Sequence, residues 1–221
     1  MSRRILVWDV PTRVFHWLLA ASFAVIYLTA ESERYRDIHV SLGYVLLGLI
    51  AFRLLWGFVG TRYARFSSFL FKPAEIASYL ISLVKGKPEH HLGHNPAASV
   101  AVFALLGLGI ASGVSGVLVY QEIGGDALDE LHEMVSYGML IMVGVHIVGV
   151  LTSSVLHREN LVRAMITGFK RVTEGSAETG ICRAHAWLGA IMLAAVVAFW
   201  FGYPLMGQPV SGDTQTEQHD D

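Results

Sequence analysis

Long apolar runs dominate the chain and are separated by shorter polar connections. A hydrocarbon core about 30 Å thick requires about 20 consecutive apolar residues in a helix. Runs of this kind predict five transmembrane helices at approximately residues 14–30, 39–59, 97–120, 131–156 and 184–205. A further stretch at 73–86 has apolar residues at helical spacing and predicts a short helix lying on the membrane surface. We therefore expect an all-α integral membrane protein.

The chain divides into two predicted parts. Residues 1–160 carry the first four spanning helices, and residues 161–221 carry a connection, the fifth helix and an acidic tail. Hydrophobic residues make up 53% of the sequence and charged residues only 15%, a balance that indicates lipid as the surrounding solvent. We expect no nucleic-acid partner. The single cysteine, Cys182, excludes an internal disulfide and a covalently attached c-type haem.

The distribution of basic residues predicts the orientation in the membrane, because cytoplasmic connections are enriched in lysine and arginine. The third connection has no basic residue and contains Glu122, Asp126, Asp129 and Glu130. Basic residues instead cluster at the N-terminus and in the second and fourth connections, namely Arg3, Arg4, Arg13, Arg62, Arg65, Lys72, Lys85, Lys87, Arg158, Arg163, Lys170, Arg171 and Arg183. We therefore expect a cytoplasmic N-terminus and a C-terminus on the opposite side.

Four histidines lie within or at the ends of the predicted spans. His132 and His146 are fourteen residues apart on the fourth helix, which puts them on one face at two depths separated by roughly 21 Å. With the orientation above, His39 lies at the depth of His132, and His16 lies on the same side as His146. Each histidine taken alone is also compatible with solvation or a cross-helix hydrogen bond. Together they indicate two cross-helix pairs of candidate metal ligands.

Small residues and one arginine accompany these histidines. Glycines on the second, third and fourth helices leave room for a planar cofactor, although close helix packing explains them equally well; they are Gly43, Gly48, Gly107, Gly109, Gly113, Gly116, Gly138 and Gly144. Arg53 lies where the second helix meets the predicted inner interface. It is suited either to binding a haem propionate or to anchoring the helix at the membrane surface.

The runs WDVPTRVFHW, IHVSLGYVLLGLIAFRLLWG, LGHNPAA and ELHEMVSYGMLIMVGVH resemble the bacterial cytochrome b561 family, which includes the b-type subunits of nickel-iron hydrogenases. The resemblance covers approximately residues 5–160. It implies a four-helix transmembrane bundle with two non-covalent b haems, an inner one held by His16 and His146 and an outer one held by His39 and His132. It also implies a bacterial inner-membrane location and electron transfer; the fifth, C-terminal transmembrane helix is an addition to that pattern.

The resemblance leaves the electron donor and acceptor open. Our main expectation is transfer between the membrane quinone pool and a periplasmic redox protein, specifically a c-type cytochrome attracted by the acidic third connection. A b-type membrane anchor of a hydrogenase or another periplasmic oxidoreductase is the first alternative. A superoxide oxidase and a haem-free transporter follow; the acidic outer surface argues against the former. Any enzymatic activity would be quinol or quinone oxidoreduction.

Five further histidines and the fifth helix have no assigned role in the sequence. His90, His91, His94, His157 and His185 fall in or near predicted cytoplasmic connections, and we interpret them as surface or interfacial residues. One of them could assist quinone protonation. The fifth helix is suited to covering the bundle, to forming a homodimer or to presenting the acidic tail to a partner.

Overall fold

Helices make up most of the computed structural model, which describes residues 2–86, 89–173 and 179–206. Its helices are α1 (Val10–Thr29), α2 (Arg36–Val59), α3 (Pro73–Val84), α4 (Pro96–Tyr120), α5 (Gly125–Leu156), α6 (Leu161–Thr167) and α7 (Ala186–Met206). Within the described residues, α1, α2 with its preceding short 3-10 turn, α4 and α5 are long and apolar enough to cross a membrane. Lys87 and the acidic tail at 207–221 lie outside the described residues.

The four long helices form a bundle whose core lies between α2, α4 and α5. Leu46, Ile50, Leu106 and Met139 are buried together there. The hydroxyl groups of Ser112 and Ser136 share a hydrogen bond of 2.8 Å between α4 and α5, a kind of contact that supports helix association in lipid. The outward helix faces carry exposed apolar side chains, among them Leu55, Phe58, Ile141, Val148 and Val155, as expected for surfaces that meet hydrocarbon.

α7 packs along the outside of α1 and α2. Its Met192 is buried against Phe15, Val45 and Leu49. An apolar cavity of about 340 Å³ lies between α2 and α7. The start of α7 is tied to the start of α1, since the Val10 N–H donates to the Ala184 carbonyl at 2.9 Å. The C-terminal helix therefore covers one side of the bundle.

Two helices begin four or more residues before the apolar runs from which they were predicted. α1 starts at Val10 rather than at residue 14, because Asp9 accepts a hydrogen bond from the Thr12 N–H at 2.8 Å and caps the helix. α5 starts at Gly125 rather than at residue 131. Its first turns contain acidic residues, so a search for apolar segments stops short of them. Helical structure thus continues past the hydrophobic segment.

A two-stranded sheet is present at the end of the bundle where α1 begins, which we call the N-terminal end. The strand β1 (Ser2–Leu6) pairs antiparallel with β2 (Phe169–Thr173). Gly168 precedes β2 with φ of 85°, and its carbonyl accepts hydrogen bonds from the Val7 and Trp8 N–H groups. A Cβ there would come within 2.7 Å of the Trp8 carbonyl oxygen. The all-α prediction was incomplete here, because two five-residue strands rich in arginine carry no strong period-2 pattern.

Asp9 connects the start of α1 to the end of α2. Besides capping α1, its carboxylate accepts hydrogen bonds from Trp56 Nε1 at 3.0 Å and from Thr61 Oγ1 at 2.6 Å. Asp9 is 1% exposed. A buried carboxylate is tolerated when hydrogen bonds replace its lost hydration, and the three donors here meet that requirement.

Glu159 connects the end of α5 to β2. Its Oε2 lies 3.1 Å from the buried Lys170 Nζ and 3.8 Å from His90 Nε2. Burial raises the pKa of Glu159, but interactions with His90 and Lys170 outweigh it and hold the pKa below its usual value. Tyr79 of α3 lies near the same point, with its hydroxyl 3.5 Å from His157 Nε2. These polar contacts join α3, α5 and the sheet.

Asp9→Ala should lower the free energy of unfolding by about 2–4 kcal/mol, because it removes a helix cap and leaves two buried donors unpaired. Thermal unfolding in detergent measures the loss. Asp129→Ala, at an exposed position of α5, is the control and should leave the unfolding temperature nearly unchanged. Equal stability of the two variants would contradict the role assigned to Asp9.

Glu159→Gln should destabilise the protein by about 1–3 kcal/mol at neutral pH, because the buried Lys170 ammonium loses its carboxylate partner. The carboxylate stabilises the fold fully above the ordinary glutamate pKa, and this contribution is lost as pH falls through the lower folded-state pKa. Unfolding temperatures of both proteins between pH 7 and pH 3 should therefore converge at the acid end. A difference that persists unchanged at low pH would refute the ion pair.

Candidate functional site: two cross-helix histidine pairs

The first histidine pair joins α1 to α5 toward the N-terminal end of the bundle. The ring centres of His16 and His146 are 6.4 Å apart, with the ring planes inclined at 53°. His16 also packs edge-on against Trp17, with ring centres 5.1 Å apart. Its Nδ1 is buried and has no hydrogen-bond partner among the described residues. The two imidazoles therefore lie close to each other between α1 and α5.

The second pair joins α2 to α5 at the opposite end of the bundle. The ring centres of His39 and His132 are 6.5 Å apart, and the ring planes are inclined at 82°. Because α5 is one continuous helix, His132 and His146 keep the same face and lie roughly 21 Å apart along its axis. The structure thus brings together the same two pairs that the sequence predicted, at two levels of one bundle.

Backbone acceptors orient the rings of the second pair. His39 Nδ1 lies 3.0 Å from the Ile26 carbonyl oxygen, and His132 Nδ1 lies 3.0 Å from the Ser112 carbonyl oxygen and 3.0 Å from Ser115 Oγ. A carbonyl only accepts, so each neutral ring holds its proton on Nδ1 and leaves Nε2 as a free lone pair. Such a partner fixes both the ring orientation and the basicity of a metal-ligating histidine.

A cavity of about 580 Å³ lies beside the second pair, among α1, α2, α4 and α5. His39, His132, Gly43 and Gly116 contribute to its lining. A Cβ at Gly116 would lie 2.9 Å from His132 Cε1, so the glycine permits the ring its position. At Gly43 a Cβ would meet nothing within 4 Å, because that side of α2 opens into the cavity. The cavity is of a size that accommodates organic cofactors in proteins.

Arg53 is buried at the level of the first pair. It follows His39 on α2 by fourteen residues and is 3% exposed. Its guanidinium lies over the rings of Phe66 and Phe69, 4.8 Å and 5.9 Å from their centres. Its Nη1 is buried without a hydrogen-bond partner in the part of the chain that the structure describes. An arginine that anchors a helix at the membrane surface would be exposed, whereas Arg53 is buried.

The five additional histidines occupy different environments at the N-terminal end. His90 and His157 lie in the contacts around Glu159, His91 packs against Phe71 and Tyr79, and His185 packs against Trp56. His94 is enclosed between Trp8 and Phe69, with ring centres 4.8 Å and 4.3 Å away. His94 is thus half-buried in an aromatic pocket, more enclosed than the surface or interfacial position that we expected. Its position between Gly93 and the helix-starting Asn95-Pro96 gave no periodicity from which burial could be predicted.

The geometry of both pairs fits iron held between two imidazoles. Metal–imidazole bonds of about 2.0 Å place a ring centre about 3.2 Å from the metal, so two opposed ligands have centres about 6.4 Å apart. Among the described residues there is no group of three or more histidine, cysteine or acidic side chains that could hold a metal ion. Each pair can therefore supply only two ligands, and a haem, whose macrocycle provides the other four, matches this set.

Comparison with known proteins agrees with these observations. The model of the family described as Prokaryotic cytochrome b561 matches residues 7–168. No solved structure matches the chain. Relatives include proteins described as a probable Ni/Fe-hydrogenase B-type cytochrome subunit in Rhodobacter capsulatus, 23% identical over 220 residues with 79% of this chain and 84% of the relative covered, and in Azotobacter vinelandii, 25% identical over 214 residues with 75% and 88% covered.

A similar relative from Escherichia coli strain K12, described as a probable Ni/Fe-hydrogenase 1 B-type cytochrome subunit, is 25% identical over 214 residues, with 74% of this chain and 89% of the relative covered. The family model spans most of the chain and includes all four paired histidines and Arg53. With its four long apolar helices, this multi-pass membrane protein belongs to the prokaryotic cytochrome b561 family of electron-transporting b-type cytochromes.

Proposed function

We propose that this protein carries electrons across a bacterial inner membrane through two b haems, between the quinone pool and a periplasmic redox protein. The proposal rests on the separations of the two imidazole pairs. Their ring centres are 6.4 Å and 6.5 Å apart, and the pairs lie at opposite ends of the same bundle. Haem b supplies a one-electron carrier at each level. The protein supplies the ligands, the orientation and a low-dielectric surrounding.

In this proposal His16 and His146 ligate the inner haem, and His39 and His132 ligate the outer haem. The histidines of the outer pair have carbonyl acceptors for Nδ1, which leaves Nε2 available to iron and keeps each ligand neutral. Arg53 would pair with a propionate of the inner haem. A buried guanidinium with an unpartnered Nη1 is costly unless an anion accompanies it.

The proposed orientation puts the N-terminal end of the bundle in the cytoplasm. The sheet, the Glu159 contacts and the basic connections all lie there, whereas the connection between α4 and α5 exposes acidic residues at the other end. Basic residues near helix ends are retained on the cytoplasmic side. We propose α7 as a fifth span, since its 21 residues are long enough to cross. This span would place the acidic tail in the periplasm.

A periplasmic c-type cytochrome is the proposed partner at the outer haem. Four exposed acidic residues surround the start of α5, on the side of His132, and form a negative surface: Glu122, Asp126, Asp129 and Glu130. Such a surface attracts a basic protein and raises its association rate at low salt. It also repels superoxide, which disfavours a superoxide oxidase. The b-type cytochrome family disfavours a haem-free transporter.

A second candidate function is supported by the relatives, which are described as hydrogenase b-type cytochrome subunits. In that case the same haem pair would receive electrons from a periplasmic hydrogenase and pass them to quinone. The two candidates share the electron path and differ in the periplasmic partner. Proteoliposomes that contain this protein and quinol alone, with c-type cytochrome outside, distinguish them: reduction of the cytochrome supports the first candidate, and its absence favours the second.

His146→Ala should remove the inner haem and retain the outer one. Purified wild-type protein should contain two haems per chain by pyridine haemochromogen, and the variant should contain one. His132→Ala is the matched variant on the same helix and should lose the other haem, so that the reduced-minus-oxidised spectra of the two variants add up to the wild-type spectrum. Two haems in either variant would contradict its ligand assignment.

Neutralising the acidic surface should slow reduction of a basic c-type cytochrome at low ionic strength. The variant carries Glu122→Gln, Asp126→Asn, Asp129→Asn and Glu130→Gln. We expect a decrease of about tenfold in the second-order rate near 10 mM salt and a much smaller difference at 0.5 M, because salt screens the attraction. Reduction of the haems by an uncharged quinol is the control and should be unaffected. Equal cytochrome rates at low salt would eliminate this docking surface.

A further inference from the structure

His94 has an environment that packing alone does not explain. Its ring lies between Trp8 and Phe69, and its Nδ1 is buried without a hydrogen-bond partner in the part of the chain that the structure describes. Buried polar nitrogens in proteins are nearly always hydrogen-bonded, since an unpaired one loses its hydration without compensation. An apolar residue would fill this aromatic pocket without that cost. The polar ring therefore indicates a partner that is not part of the protein chain.

Arg53, next to His94, also has a buried nitrogen without a hydrogen-bond partner among the described residues. The ring of Phe69 contacts both side chains, since it lies against the His94 ring and beneath the Arg53 guanidinium. Two nitrogens, Arg53 Nη1 and His94 Nδ1, are thus buried and unpartnered on side chains that contact the same phenylalanine. They come from separate elements, α2 and the loop before α4. Because both nitrogens lack a hydrogen-bond partner next to the same ring, we infer that one ligand accepts from both.

In the part of the chain that the structure describes, no carboxylate is hydrogen-bonded to Arg53 Nη1 or to His94 Nδ1. Asp9 is the acidic group whose charge acts on Arg53, but its oxygens are already occupied by Thr12, Trp56 and Thr61. The positive charges that act on His94 are those of Arg53 and Lys170. The surroundings of Arg53 and His94 are therefore electropositive and suited to an anion.

His94 is in a protonation state that can donate a hydrogen bond. Burial, followed by the nearby positive charges of Arg53 and Lys170, lowers the pKa of His94 to about 3. The ring is neutral at physiological pH and carries one N–H group. With its proton on Nδ1, it can donate one hydrogen bond to a carboxylate oxygen while the guanidinium supplies the charge.

We propose that His94 donates a hydrogen bond to a propionate carboxylate of the haem held by His16 and His146, beside Arg53. This inference rests on the proposed function, because it requires that haem. Arg53 lies on α2 at the level of the pair, and its guanidinium shares Phe69 with the His94 ring, which places His94 at the same end of the site. Haem b has two carboxylates, and this end of the site offers two unpartnered donors. His94 is thus a cofactor-binding residue that ligates no metal.

The test compares His94→Leu with His94→Asn, which are nearly equal in size but differ in whether the side chain can donate from the position of Nδ1. The first readout is transfer of haem from the purified protein to apomyoglobin. The leucine variant should lose its inner haem about tenfold faster than wild type, since one charge-assisted hydrogen bond is removed. The asparagine variant should restore most of the retention. The outer haem reports that the bundle has folded.

The second readout is the midpoint potential of the inner haem, with the outer haem as an internal reference. A propionate with less compensation of its negative charge stabilises ferric iron, so His94→Leu should lower the inner potential and leave the outer potential unchanged. His91→Leu is the matched control on the same loop, since His91 Nε2 is also buried without a partner among the described residues. It should change neither potential.

The outcomes separate this inference from the proposed function. An inner haem that is retained and titrates as in wild type in His94→Leu would overturn the inference, and so would an asparagine variant that behaves like the leucine variant. If His94→Leu does not fold, His94→Phe replaces it in the same comparison, because the pocket is aromatic. Wild-type protein with no haem at the inner site would instead refute the proposed function and the inference together.

Discussion

The continuous helix α5 is the constraint on which the rest of the site depends. It supplies one histidine to each pair, and the fourteen-residue spacing keeps both on one face. A kink or an inserted residue between them would rotate one imidazole away from its partner helix. α1 and α2 then need only bring His16 and His39 to the correct depths, which their antiparallel packing against each other does. Two histidine pairs at two depths thus follow from one helical register.

Polar groups within this apolar bundle divide into those the protein satisfies and those it does not. At the end of the second pair, carbonyl and hydroxyl oxygens of Ile26, Ser112 and Ser115 accept from the histidine rings. At the N-terminal end, nitrogens of His16, Arg53 and His94 remain unpartnered among the described residues. The cost of an unpaired buried donor is as high at one end as at the other. The two ends of the bundle therefore differ in how far the described protein groups satisfy their buried polar atoms.

Much of this arrangement could be predicted from the sequence, and the exceptions have physical reasons. Apolar runs indicated the long helices, and helical periodicity with a consistent topology indicated which histidines would face each other. The enclosure of His94 between aromatic rings was missed because a loop has no periodicity to relate sequence to exposure. The sheet was missed because Arg3 and Arg171 dominate its short strands, and the positive-inside rule interprets arginines as anchors without regard to backbone pairing.

The helix ends show why hydropathy alone underestimates structure near a membrane. A spanning segment is selected by the cost of its side chains in hydrocarbon, whereas a helix is terminated by the satisfaction of its backbone. Asp9 has two structural roles. It caps α1, and it accepts hydrogen bonds from Trp56 and Thr61 near the end of α2. By joining the start of one helix to the end of its neighbour, it fixes their relative height. His16 on α1 and Arg53 on α2 are therefore held at a common level by a residue that contacts neither of them directly.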